Sequence, residues 1–276
     1  MKAFNNCLRG QPGGAVFSFW AGAFLQTGKA LLVFSLFFVL VSCGGEQRSV
    51  LTIATAANMQ YAMQALTERF EALEGIPCRS IVSSSGKLTA QITEGAPFDV
   101  FVSADMKYPR LLCEQGLCVD SPQIYAYGGL VLWTAQDDLE PSLEALFSPR
   151  VRQIALPNPR TAPYGRAAME VLRNMGAEPA LQEKLVYGES ISQTNPFILS
   201  GNAELGFTAR SVVLSPAVRD LGKWAEVPDT LYTPIAQGVV VLKGRPGQLE
   251  AARAFRAFLF SAEAREILRN FGYQTE

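Results

Sequence analysis

From Leu51 onward, short runs rich in β-branched and aromatic residues alternate with segments in which apolar residues recur every three or four positions. This alternation is typical of α/β sheets, in which helices connect neighbouring strands. The predicted strands are residues 51–55, 79–82, 98–103, 130–134, 154–156, 185–187, 204–208 and 238–243. The sequence therefore predicts an α/β fold with mixed, mostly parallel sheets flanked by helices.

The strand and helix pattern begins again after Gly128-Gly129, which indicates two lobes. The chain is expected to cross between them near residues 127–130 and to return near residues 233–238. Lobe I would then comprise residues 50–128 and 234–276, and lobe II residues 129–233. Ligands of open α/β sheets bind where the carboxyl ends of strands meet helix N-termini. In a two-lobed protein that place is the cleft between the lobes.

The first 42 residues are expected to be a signal peptide rather than part of the fold. An apolar run of twelve residues, 30–41, follows Lys29. It is too short to span a bilayer but suits the apolar region of a signal peptide. The run leads into Leu40-Val41-Ser42-Cys43, which resembles a bacterial lipobox. We expect lipidation at Cys43, a tether over residues 43–49 and an exported protein of the periplasm or cell envelope. A plain signal peptide and an uncleaved anchor are the alternatives.

Composition excludes several classes of function. The chain contains no histidine, which excludes histidine-based catalytic triads and most zinc sites. Its formal net charge of −1 gives no reason to expect a nucleic-acid partner. Cys113 and Cys118 could form a small disulfide loop or lie in the core as two buried apolar side chains. No metal cation and no cofactor are expected.

Two predicted turns between a strand and a helix carry small or hydroxylated residues. The first is Ala54–Asn58 and the second is Ser83–Gly86. Backbone N–H groups at a helix N-terminus point outward and favour an anion without any formal charge. Asn58 and the serines are also ordinary helix caps, with Asn58 at the predicted N-cap of the helix that follows.

The enzyme motifs that the second turn resembles are incomplete. Ser84-Ser85-Gly86-Lys87 matches the S-x-x-K of penicillin-binding proteins, but S-D-N and K-T-G are both missing. The same run is no phosphate-binding P-loop, because Leu88 stands where that motif requires serine or threonine. Lys87 is then expected to be a solvated helix residue, and the protein is expected not to be an enzyme.

Several motifs resemble the molybdate-binding component of bacterial ABC importers, a two-lobed periplasmic binding protein of the second topological type. They are Ala56-Ala57-Asn58, Ser84–Leu88, Gly95–Asp105, Ala155–Pro159 with Ala162–Gly165, and Gly201–Phe207. The resemblance implies a monomeric receptor that binds molybdate, and also tungstate, in its cleft and docks on a membrane permease. A receptor for sulfate or another tetrahedral oxyanion is the alternative, followed by a sensory or regulatory binding domain.

The resemblance also implies which groups hold the anion. The contacts carried over are Asn58 with the N–H of Ala57, the hydroxyl and N–H of Ser85, the N–H of Ala162, the phenol of Tyr164 and the N–H of Ile191. A well-known branch of the family has tyrosine where Ala209 stands, and alanine cannot donate from its side chain. Another branch with asparagine in the first turn matches better, and there Tyr164 takes over this contact.

Uncharged donors also predict which anions bind. A site that offers only hydrogen-bond donors leaves the O–H of a monoprotonated phosphate without an acceptor, which disfavours phosphate. Molybdate, tungstate and sulfate are fully deprotonated, so they need donors only. They differ in size, so discrimination among them depends on how far the lobes close.

Overall fold

The computed structural model describes residues 50–275. The predicted signal peptide, the lipidation site at Cys43 and the tether lie outside the described residues. Within them are two five-stranded sheets flanked by helices, which confirms the predicted two-lobed α/β fold.

The first sheet has the strand order β2-β1-β3-β10-β4. Its strands in chain order are β1 (Leu51–Ala56), β2 (Cys78–Ser83), β3 (Val100–Ser103), β4 (Gln123–Gly128) and β10 (Ile235–Val241). Strand β1 pairs in parallel with β2 and β3, whereas β10 pairs antiparallel with β3 and β4. The carboxyl ends of β1, β2 and β3 therefore meet at one edge of the sheet.

The second sheet has the strand order β7-β6-β8-β5-β9. Its strands are β5 (Leu130–Thr134), β6 (Ile154–Pro157), β7 (Leu185–Gly188), β8 (Leu205–Ala209) and β9 (Lys223–Glu226). Strand β6 lies parallel to β7 and β8, and β5 lies antiparallel to β8 and β9. Half of the pairings in each sheet are thus antiparallel, a larger share than the sequence predicts.

Helices connect the strands and cover the sheets. In chain order they are α1 (Gln60–Glu74), α2 (Ser85–Thr93), α3 (Lys107–Glu114), α4 (Pro163–Asn174), α5 (Glu178–Leu181), α6 (Ile191–Leu199), α7 (Arg210–Val213), α8 (Leu249–Leu259) and α9 (Ala262–Asn270). Helix α1 buries Met63, Leu66 and Phe70, as its apolar spacing predicts. The Phe70 ring contacts those of Phe255 and Phe258 on α8, at centroid distances of 5.2 and 5.5 Å.

Two details differ from the sequence predictions, and a third decides between two alternatives that the sequence left open. Strands β4 and β9 are not in the predicted set, because exposed positions weaken their apolar alternation. Asn58 is not a helix N-cap: it lies in a 3-10 turn, Ala57–Met59, and helix α1 begins two residues later. Cys113 and Cys118 form a disulfide, the pairing that the sequence left open.

Glu204, in the loop before β8, links that loop to the start of β6. Its Oε2 accepts hydrogen bonds from the backbone N–H groups of Arg152 and Gln153, at 3.0 and 2.8 Å. Burial alone raises the pKa of this carboxyl, but hydrogen bonds, chiefly from backbone N–H groups, outweigh it and hold the pKa below its usual value. A lowered pKa in the folded state means that the ionised carboxylate stabilises the fold.

We expect Glu204→Gln to lower the free energy of unfolding by about 1–3 kcal/mol at about pH 7, because two backbone donors lose a charged acceptor. In the folded protein the carboxylate is protonated only as the pH falls through a pKa that lies below 4.5, so the two proteins should become similarly stable at still lower pH. Urea unfolding at both pH values measures this. Glu263→Gln, at an exposed ion pair with Arg69, is the control and should cost much less stability, because solvent screens exposed charges. An equal loss at low pH would contradict the role of the charge.

Candidate functional site

A small cavity lies where the turn after β1 and the N-terminus of α2 meet the N-termini of α4 and α6. Its lining residues are Ala56, Ala57, Asn58, Ser84, Ser85, Ala104, Ala162, Pro163, Tyr164 and Ile191. All six residues expected to contact the anion line it, and each is at most 5% exposed. About 200 Å³ of empty space lies between these residues, with the solvent at its mouth included.

Helix α2 presents its first residues to the cavity. The Ser85 hydroxyl oxygen accepts a hydrogen bond from the Ala104 N–H at 3.0 Å, which fixes the oxygen and leaves its proton available. Among the described residues, the Ser85 N–H has no acceptor. Ser84 precedes the helix in an extended conformation, and its buried hydroxyl has no partner among residues 50–275. Three donor groups therefore lie together at this helix end.

The amide nitrogen of Asn58 is held by other side chains. It donates to Gln237 Oε1 and to the Tyr273 hydroxyl, both at 2.8 Å. Gln237 cannot be turned around, because its own amide nitrogen donates to the carbonyl oxygens of Ala104 and Ile235. The Asn58 side chain is thus left with a buried Oδ1 that has no partner in the described chain. The wall of the cavity includes an acceptor where the resemblance implied a donor.

The N-termini of α4 and α6, which follow strands β6 and β7 of the second sheet, form the other side of the cavity. The Ala162 N–H donates to the Asn158 carbonyl oxygen at 2.8 Å, so it is engaged within its own turn rather than free for an anion. Tyr164, one residue inside α4, has a buried hydroxyl without a partner in residues 50–275. Burial raises the pKa of this phenol well above its usual range, so it stays protonated. The N–H of Ile191, the first residue of α6, has no acceptor among the described residues.

No charged side chain lines the cavity, and charges nearby are paired across the lobes. Lys87 Nζ lies 2.9 Å from Glu189 Oε2, and Arg166 pairs with Asp105. Lys87 lies on helix α2 with a side chain that is 42% exposed, in line with the solvated helix residue that the sequence predicted, and it also forms this ion pair. Of the seven buried polar side-chain atoms without a partner in the described chain, three belong to cavity residues: Asn58, Ser84 and Tyr164. These unpartnered atoms indicate a polar ligand.

The sequence did not single out several residues that shape this site. Ser84 lies in the second predicted turn and Ala104 in the Gly95–Asp105 motif, but neither is among the six predicted contacts, and Gln237 and Tyr273 lie outside every predicted motif. Ala209 does not line the cavity, which agrees with its lack of a side-chain donor. Only a contact across the fold could have identified Gln237 and Tyr273, which lie 179 and 215 residues from Asn58.

Within residues 50–275, no group of three or more acidic, cysteine or histidine side chains is placed to hold a metal ion. None of the helices described there is both long and apolar enough to cross a bilayer.

Comparison with known proteins identifies the family. The profile of the bacterial extracellular solute-binding protein family matches residues 51–274. The chain belongs to this family. Its members are binding proteins rather than enzymes, in agreement with the prediction from the sequence.

Similar proteins within the family cover nearly the whole chain. A molybdate-binding protein ModA from Rhodobacter capsulatus is 37% identical over 91% of this chain and 97% of its own length. A molybdate-binding protein ModA from Azotobacter vinelandii is 36% identical over 88% of this chain and 96% of its own length. The solved structure of the Azotobacter vinelandii periplasmic molybdate-binding protein superposes with a TM-score of 0.78 at 33% identity, covering 82% of this chain and 99% of that one.

We expect Tyr164→Phe to stabilise the anion-free protein by about 1 kcal/mol, because the change removes a buried hydroxyl that has no partner. Tyr232→Phe is the matched control, since the Tyr232 hydroxyl accepts from the Leu130 N–H at 3.2 Å. That variant should be destabilised. Urea unfolding without added anion compares the two, and equal destabilisation would show that the Tyr164 hydroxyl is satisfied in the free protein.

Proposed function

We propose that this protein is an extracytoplasmic receptor that binds molybdate between its two lobes and delivers it to an ABC permease. The single observation that carries the proposal is the neutral cavity, which is lined by buried donors from both lobes that have no partner in the described chain. Relatives that cover nine-tenths of the chain and are molybdate-binding proteins support the choice of anion.

The donors that we propose for the anion are the cavity groups whose protons have no acceptor in the described chain. From lobe I it comprises the hydroxyl and N–H of Ser85, together with the Ser84 hydroxyl, and from lobe II the Tyr164 phenol and the Ile191 N–H. Each hydrogen bond to a charged group is worth about 1.5–3 kcal/mol, so several of them bind an anion without arginine or lysine. Ala57, Asn58 and Ala162 complete the wall and position these donors.

The Asn58 Oδ1 makes phosphate an informative test anion. A site with donors only would reject hydrogen phosphate, but an acceptor in the wall could receive its proton. Fully deprotonated molybdate would instead keep its oxygens away from Oδ1 and on the donors. Tungstate has the same charge and shape, and we propose that it binds as well. Sulfate is the alternative ligand.

We expect molybdate and tungstate to raise the unfolding temperature and to bind with micromolar or tighter affinity, about −8 kcal/mol or better. Differential scanning fluorimetry and calorimetry with molybdate, tungstate, sulfate and phosphate measure this. Stabilisation by sulfate alone would assign the receptor to sulfate. No response to molybdate or tungstate at saturating concentration would refute the proposal.

Ser85→Ala should weaken molybdate binding by about ten- to a hundredfold, because one charge-assisted hydrogen bond is lost. Thr93→Ala is the control: it removes a hydroxyl from the last turn of the same helix, where Thr93 donates to Gln115 at 3.0 Å. Its affinity should match that of the wild type. Equal affinities of both variants in calorimetry would exclude the Ser85 hydroxyl from the site.

We also propose that the receptor is a monomer tethered through a lipid on Cys43, with lobe I and lobe II bounded as the sequence predicts. The Leu40–Cys43 motif supports the tether. Mass spectrometry of the mature N-terminus should find an acylated Cys43, and an unmodified terminus at another residue would refute this part of the proposal.

A further inference from the structure

The two lobes touch through backbone atoms beside the cavity. The Gly86 N–H, in the first turn of α2, donates to the Thr161 carbonyl oxygen at 2.9 Å. Gly86 directly follows Ser85, and Thr161 directly precedes Ala162. The contact between the lobes therefore lies one residue from the cavity wall on each side.

A side chain at position 86 would not fit this contact. A Cβ atom there would lie 2.7 Å from the Tyr108 hydroxyl, 2.9 Å from the Thr161 carbonyl oxygen and 3.0 Å from the Thr161 Cα. Two of these three atoms are backbone and cannot rotate away. The Gly86 backbone is in a conformation that alanine adopts readily, so the obstacle is contact rather than strain.

Neighbouring contacts on this side of the cavity, among them the Arg166–Asp105 pair, are made through side chains and are more adaptable. The Lys87–Glu189 pair joins two long side chains that are each more than two-fifths exposed. The Tyr108 hydroxyl donates to the carbonyl oxygens of Arg160 and Thr161 at 3.3 and 3.4 Å, both longer than an ideal hydrogen bond. Long side chains can follow a small change in lobe separation, whereas the direct contact of Gly86 with Thr161 cannot.

We propose that Gly86 determines how closely the lobes approach and thereby which anion size the cavity holds, an inference that rests on the proposed function. The donors of Ser85 and those of Tyr164 and Ile191 must reach the same ion from opposite lobes. Because hydrogen bonds weaken steeply with distance, a fixed lobe separation matches one ionic size best. Sulfate is smaller than molybdate and tungstate, and a wider cavity would cost it more binding energy.

Gly86→Ala tests this role. We expect the variant to bind molybdate at least tenfold more weakly and to lose more of its sulfate than of its tungstate affinity. Without anion the variant should still unfold in one cooperative transition, which shows that it folds. Calorimetry with the three anions measures the affinities, and wild-type affinities in Gly86→Ala would overturn the inference. Absence of binding by the wild type itself would instead refute the proposed function.

Two controls separate lobe contact from other effects. Lys87→Ala removes the neighbouring ion pair but leaves the backbone contact, so its molybdate affinity should change less than about threefold. Gly86→Ala combined with Tyr108→Phe removes the hydroxyl that the new Cβ would meet, but it leaves Thr161 in place. The double variant should bind as weakly as Gly86→Ala. Full recovery would show that the clash is with Tyr108 alone and would overturn the inference.

The wild-type protein offers an independent measurement that needs no variant. Crystal structures with molybdate and with sulfate should show the same contact between the Gly86 nitrogen and the Thr161 oxygen, because the lobes stop there for either ion. A shorter lobe separation around sulfate would mean that the anion, and not Gly86, sets the closure.

Discussion

Buried proton donors without partners are the feature on which the interpretation of this protein depends. A buried hydroxyl or amide that makes no hydrogen bond destabilises the folded state by about 1–3 kcal/mol. Ser84 and Tyr164 carry such hydroxyls on facing lobes, and the N–H groups of Ser85 and Ile191 lie beside the same cavity. An anion between the lobes would satisfy all of them at once, so ligand binding and lobe closure stabilise each other.

A buried polar network holds the turn after β1, which lines the cavity, in place. Asn58 lies at its centre: its side-chain amide nitrogen donates to Gln237 and Tyr273, and its backbone carbonyl oxygen accepts from the hydroxyls of Ser211 and Tyr273. Ser211 lies on helix α7, directly after strand β8, so this network joins the turn after β1 of the first sheet to the second sheet. Burial raises the pKa of the Tyr273 phenol, which keeps its proton in the network.

In the proposed function, selectivity among anions comes from the geometry of the cavity rather than from charged side chains. The cavity has no cationic side chain, so it cannot favour an anion by net attraction alone. The direction of each donor decides which protonation state binds, and the distance between the lobes decides which size. Gly86 and Thr161 connect these two properties, because their contact fixes the separation of the helix N-termini that provide the donors.

The sequence by itself determined the α/β class, eight of the ten strands and the turns that form the site, since periodicity and turn residues act over a few positions. The family resemblance added six of the ten residues that line the cavity. Only the tertiary structure decided which atoms those residues present. The Asn58 amide is oriented by Gln237 and Tyr273, the Ala162 N–H is engaged by Asn158, and a side chain at Gly86 is excluded by Thr161. Most of these partners lie tens to hundreds of residues away in the chain, and no local pattern specifies them.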